Sequence, residues 1–187
     1  DKSLFVFFNS LGSEYFDSFW LFISESDIIE VIYLFLVIEF LRFFKIKDLK
    51  SILIFLLSMI LMIVFTDQSS NFFKEFFERL RPCHNPELIE IIRIVKDGCG
   101  GLYGFFSAHA ANTFAFASFI YFLTPNENNY KRTSFLLFIW AAIISYSRIY
   151  IGVHFPLDII IGAIYGLLSG YLFHKPFLYF RKSKLIL

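Results

Sequence analysis

The sequence is short of net charge. Its 17 Lys and Arg nearly balance 16 Asp and Glu, leaving +1 over 187 residues. No basic field stands out, which argues against a nucleic-acid partner. Cysteine is scarce, with only Cys83 and Cys99. These two and the neighbouring His84 match no common zinc spacing. A bridge, two free thiols and a metal pair stay open at this point. An oxidising compartment favours the bridge, which closes a loop of about 17 residues worth roughly 3 kcal/mol in chain-entropy terms. The N-terminal stretch lacks the basic head, apolar run and small-residue cleavage site of a signal peptide. The chain opens on Asp1 rather than Met, so an upstream piece is expected.

What is present is apolar and aromatic. The sequence is 57% hydrophobic and 21% aromatic, with 28 Phe, and its mean hydropathy is +0.64. Soluble domains carry about 45–50% apolar residues. A globule of this length has too little interior for the excess, and a bilayer is the simplest solvent for it. The length fits one domain, 1–187. A spanning helix needs about 20 mostly apolar residues. Runs 51–66, 102–123, 133–147 and 159–173 meet that description with their flanks, and 27–44 is a fifth despite Asp27, Glu30, Glu39 and Arg42. The segment 1–26 is interrupted by "NSLGS" and reads as one or two short interfacial helices or a first span. The expected fold is therefore all-α: a polytopic transmembrane bundle of five to six spans, with an amphipathic interfacial helix.

Lys and Arg gather in the links 42–50 and 124–132 and in the tail 175–184. Alternation puts all three on one side, which the positive-inside rule makes cytoplasmic. The N-terminal segment, the loop 67–104 and the link 147–157 then face outward. In "GAIYGLLSG", Gly162, Gly166 and Gly170 fall four residues apart on one helix face. That spacing allows close helix packing in lipid.

Three polar clusters share the outward side. "KEFFERLRP" places Lys74 and Arg81 seven residues apart, about two turns if helical, so both cations point one way from a helix lying along the membrane surface. In "GFFSAHAAN", Ser107 reads as the N-cap of a long apolar helix. The small residues behind it leave backbone N–H groups open to an anion. In "SRIYIGVHFPLD", Pro156 suits a first helical turn, and Asp158 follows His154 by four residues. Each cluster alone has an ordinary explanation: a solvated face, an interfacial histidine, an Arg148–Asp158 ion pair. Together they supply three cations, a helix start and two histidines, one beside a carboxylate. That is equipment for a small oxyanion such as phosphate, with one histidine to attack phosphorus and one to protonate the departing oxygen. No carboxylate cluster able to hold a divalent metal accompanies them, so metal-independent chemistry without a cofactor is expected.

These residues resemble the type 2 phosphatidic acid phosphatase superfamily, integral-membrane lipid phosphatases that share a core with vanadium haloperoxidases. Lys74 and Arg81-Pro82 match the first motif in full. Ser107 and His109 match the second, Pro-Ser-Gly-His, where Phe106 and Ala108 depart from it. Ser147-Arg148, His154 and Asp158 match the third in full. The resemblance implies that His154 forms a phosphohistidine, that Asp158 orients it and that His109 protonates the leaving lipid oxygen. Lys74, Arg81, Ser107 and Arg148 would hold the phosphoryl oxygens. The implied partner is a lipid phosphate in the bilayer, met on the periplasmic side of a bacterial inner membrane. The outward site leans toward undecaprenyl diphosphate. Phosphatidylglycerophosphate, phosphatidic acid, lipid A and phosphoryl transfer to another acceptor stay as alternatives. The stretch 83–101 is placed to act as a lid.

Overall fold

The computed structural model describes residues 1–25, 28–96, 98–124 and 128–185, and the regular secondary structure among them is helical apart from one isolated β-bridge, with 78–96 and 98–107 mostly turns and extended chain. Residues 1–25 form α1 (Lys2–Ser10) and α2 (Glu14–Glu25), which break at Gly12. There follow α3 (Ile28–Phe43), α4 (Leu49–Phe77), a 3₁₀ turn at Pro82–His84, α5 (Ala108–Leu123), α6 (Asn128–Tyr150) and α7 (Pro156–Leu185). Among the described residues three helices are long and apolar enough to cross a membrane: Leu49–Phe77, Tyr130–Tyr150 and Pro156–Phe180. The 16-residue helices α3 and α5 reach about 24 Å at 1.5 Å per residue, short of a hydrocarbon core of about 30 Å. The expected five to six spans are therefore not all met by length. Asp27, at the start of the run 27–44, lies outside the described residues.

Two boundaries differ from the sequence reading. Helix α4 runs eleven residues past 66, so Lys74 stands in its last turn and not on a separate surface helix. The polar run "TDQSSN" ends the apolar stretch but not the helix, because Thr66, Ser69 and Ser70 face protein while Gln68 and Asn71 stay exposed. Thr66 and Ser70 are fully buried. Thr66 Oγ1 bonds Asn112 on α5, Ser70 Oγ donates to the Phe106 carbonyl at 2.8 Å, and Ser69 Oγ accepts from the Tyr165 hydroxyl of α7 at 2.7 Å. The other boundary is the start of α5. Residues 102–107 are not helical, and the helix begins where Ser107, in extended backbone, accepts from the Ala110 N–H at 3.4 Å.

Helix α5 lies between α4, α6 and α7. The glycine row of α7 explains how closely it fits. A Cβ on Gly162, Gly166 or Gly170 would stand 2.7, 2.2 or 2.4 Å from the carbonyl oxygens of Ser107, Ala111 and Ala115. Only hydrogen fits against that backbone. The seam sets the start of α5 beside the start of α7, and the Ser107 N–H donates to the Asp158 carbonyl at 3.1 Å. At the far end Lys50 sits 5.0 Å over the Phe180 ring, and Phe43 packs on Tyr130 at 5.2 Å. The basic links thus collect at the end of the bundle opposite Lys74 and Asp158.

Candidate active site

Four helix ends, of α4, α5, α6 and α7, and the link after α4 build the site. Glu78, in the left-handed region at φ 47°, ends α4 with its N–H on the Lys74 carbonyl. The next residues are extended. Leu80 bridges Tyr103, with Arg81 N–H to Leu102 O at 3.1 Å and Gly104 N–H to Arg79 O at 2.8 Å. Alternate residues of an extended chain face one side, so Arg79 and Arg81 flank an outward Leu80. This replaces the expected two-turn helical spacing of Lys74 and Arg81. Lys74 donates to Asn71 at 3.3 Å. Arg81 donates to the carbonyls of Tyr103 at 3.2 Å and Cys99 at 3.3 Å. Among the described residues neither cation has a carboxylate within salt-bridge distance.

His154 and Asp158 lie at the start of α7, with Pro156 at its first position. Asp158 reaches back along the first turn and accepts the Phe155 N–H at 2.9 Å through Oδ2, as an acidic residue does in a capping box. The same oxygen stands 3.5 Å from His154 Nδ1, which makes no hydrogen bond. Asp158 Oδ1 is held by Arg79 at 2.5 Å. Both His154 and Asp158 are buried, at 2% and 0% exposure. Burial holds the His154 imidazole well below its ordinary pKa, and Arg81, Arg148 and Lys74 push it the same way. Three cations therefore converge on a neutral imidazole. Burial and Arg148 also lower Arg81, which stays a guanidinium. His109, in the first turn of α5, is exposed.

Arg148, in the last turn of α6, is 3% exposed. Its partner is not Asp158. Nη1 donates to the Ser24 carbonyl at 3.1 Å and pairs with Ser24 Oγ and Glu25 at the end of α2, while Nε has no partner. Lys96 binds the same Glu25. Glu25 lies below the usual carboxylate range: burial raises it, but the Lys96 and Arg148 contacts outweigh that. The Arg148–Asp158 pair is replaced by two others, Arg79–Asp158 and Arg148–Glu25. Sequence reading missed Arg79, Ser24 and Glu25, whose partners lie 79 to 124 residues away. For Arg79 a local signal existed, the alternation in "RLR".

A cover overlies these groups. Cys83 and Cys99 are bridged, with Cα atoms 6.3 Å apart, and pack on Tyr150, Ile151 and Val153 beside His154. His84 stands near both sulfurs. Buried Asn9 donates to the carbonyls of Arg93, Ile149 and Tyr150 and accepts the Arg93 N–H at 2.8 Å. An apolar cleft of about 540 Å³ lies elsewhere, between α3, α5 and α6, and none of the candidate residues line it.

Comparison with known proteins finds relatives in both sequence and fold. The profile of the PAP2 superfamily matches residues 51–182. A lipid A 4'-phosphatase of Porphyromonas gingivalis is 35% identical over 97% of this chain and 74% of its own length. A lipid A 4'-phosphatase of Bacteroides thetaiotaomicron is 34% identical over 93% of this chain and 75% of its own. The crystal structure of Aquifex aeolicus LpxE superposes with a TM-score of 0.62, at 25% identity and 94% coverage of both chains.

Proposed function

From its place in the PAP2 superfamily, to which the chain belongs as a membrane lipid phosphatase, we propose that it removes the 4'-phosphate of lipid A. Both relatives at about a third identity are lipid A 4'-phosphatases. They lend no support to undecaprenyl diphosphate, the substrate the sequence favoured. The observation that carries the chemistry is the buried, neutral His154 with Asp158 at its Nδ1 side and Lys74, Arg81 and Arg148 near enough to hold its pKa down.

In the proposed path Nε2 of His154 attacks the phosphorus and the bond to the lipid oxygen breaks. Desolvation by the protein around it, Arg148 and His154 hold the pKa of His109 down to about 3 before the anion arrives; the phosphate dianion offsets the cations, so His109 takes up a proton with the substrate and gives it to that oxygen. Lys74, Arg81 and Arg148 balance the growing charge on the phosphoryl group, as preorganised cations do in a transition state. The Ser107 hydroxyl caps α5 through a lone pair and still has its proton to donate. Asp158 stabilises the positive charge that His154 acquires. Water then attacks the phosphohistidine, gives its proton to His109, and releases phosphate and neutral His154. The distribution of Lys and Arg supports placing this end of the bundle on the periplasmic side of the inner membrane.

The test is phosphate release in detergent from lipid A, its 4'-monophosphate and 1-monophosphate forms, undecaprenyl diphosphate, phosphatidic acid and phosphatidylglycerophosphate. The expected result is loss of the 4'-phosphate with the 1-phosphate left in place, undiminished by EDTA. Turnover of another lipid with lipid A inert, or a strict need for Mg²⁺, would overturn the proposal.

A further inference from the structure

We propose that Arg79 is a positioning residue of this site, acting on the nucleophile through Asp158. Its role lies outside the motif positions Lys74 and Arg81-Pro82 that flank it, and the inference rests on the reading of His154 and Asp158 given above. Asp158 has two oxygens, and the structure divides their duties. Oδ2 takes the Phe155 N–H and faces His154 Nδ1. Oδ1 is taken by Arg79 Nη1. Without that contact the carboxylate could rotate about its last bond and offer either oxygen to either donor. A fully buried carboxylate also has no water to keep it ionised, and a paired cation supplies that.

Arg79 is itself held in place. Its guanidinium carbon lies 4.4 Å over the Phe155 ring. Its carbonyl accepts the Gly104 N–H, and Nη2 pairs with Asp1. The approach is close on every side: a Cβ on Gly104 would stand 3.4 Å from Asp158 Oδ2 and 3.1 Å from Arg81 Cγ. The charged or titratable groups around Asp158 are Arg79, Arg81, Lys74 and His154, with Asp1 on the other side of Arg79. Among the described residues Arg79 is the one that contacts its Oδ1. Among the described residues Lys74 and Arg81 have no carboxylate within salt-bridge distance and meet only amide and carbonyl oxygens, which leaves their charge for an anion. Arg79 carries two carboxylates and is already committed. A guanidinium spent on a structural carboxylate tunes the nucleophile and does not hold the substrate.

The experiment is a double-mutant cycle on lipid A dephosphorylation, using Arg79→Met and Arg79→Lys, each in the native and the Asp158→Asn background. The expected loss is about 100-fold in kcat for Arg79→Met with KM within about threefold, since an interaction felt only in the transition state lowers kcat alone. Arg79→Lys should lose less. Asp158→Asn should cost at least as much as Arg79→Met, and adding either Arg79 substitution to it should cost nothing more. Guanidinium ion should restore part of the activity of Arg79→Met but none to Arg79→Met/Asp158→Asn. A raised KM with unchanged kcat, or losses that multiply in the double variants, would make Arg79 a phosphate ligand and overturn the inference. Full activity in Asp158→Asn would instead overturn the underlying reading. Impaired Asp158→Asn beside fully active Arg79 variants would overturn the inference alone. Should Arg79→Met fail to fold, the Arg79→Lys arm and the Asp158→Asn pair, which has no buried charge to strand, decide the question by the same comparison.

Discussion

The seam between α5 and α7 and the cover formed by α1, α2 and residues 82–96 and 98–103 both touch the site, but they are built differently. The seam is backbone against backbone. Three glycines of α7 lie under the carbonyls of Ser107, Ala111 and Ala115, and Ala110, Ala111 and Ala115 are fully buried there. The cover packs side chain on side chain, Phe5 and Leu88 on Ile149 and Phe155. It adds point contacts, Asn9, Asp17 to Arg93 and Glu25 to Arg148 and Lys96, and the covalent Cys83–Cys99 bridge. The seam sets the distance between the two helix starts that carry the histidines. The cover aims Arg148 and overlies the turn that carries His154.

The contrast can be broken at the seam. Gly166→Leu should remove folded protein altogether, because its Cβ alone would stand 2.2 Å from the Ala111 carbonyl oxygen. Overpacking a flexible side chain costs about 1–3 kcal/mol, and here the obstacle is backbone, so the cost should exceed that range. The yield of monodisperse protein in detergent measures it. A well-folded Gly166→Leu variant would show the seam to be loose.

The cover should respond in smaller steps. Asn9→Ala strands the Arg93 N–H and three carbonyls, with a stability loss of about 3 kcal/mol, at the upper end for a buried unpaired group. Thermal unfolding should register that loss while folded protein is still recovered. A loss as complete as that of Gly166→Leu would erase the distinction between the two regions. Cys83→Ser should cost about 3 kcal/mol or less, the chain-entropy limit for a loop of this size, and should lower the melting temperature with part of the turnover kept. An unchanged melting temperature would mean that the bridge adds nothing to the cover.

The two regions also differed in how far the sequence revealed them. The glycine spacing and the residues at the starts of α5 and α7 are local patterns, and a four-residue repeat or an N-cap is legible without knowing the partner. The convergence of Lys74, Arg81, Ser107, Arg148, His154 and Asp158 could be read from motif spacing. The ion pairs could not. Arg79 to Asp158 and Arg148 to Glu25 join positions 79 and 123 residues apart, and charge alone left Arg148–Asp158 an equally good pair. The length of α4 was missed because its polar turn at Thr66–Asn71 reads as water-facing when only hydropathy is weighed. Thr66, Ser69 and Ser70 are satisfied by Asn112, Tyr165 and the Phe106 carbonyl, and the helix has no Pro or Gly to stop it before Phe77.

The central claim is that His154 carries the phosphoryl group. The most direct test is a rapid alkaline quench of the protein mixed with lipid A labelled at its 4'-phosphate, since phosphohistidine survives alkali and is lost in acid. The account predicts an alkali-stable, acid-labile label that maps to His154 and is absent from folded His154→Ala, which turns over no lipid. Turnover in His154→Ala, or a label on any other residue, would contradict it.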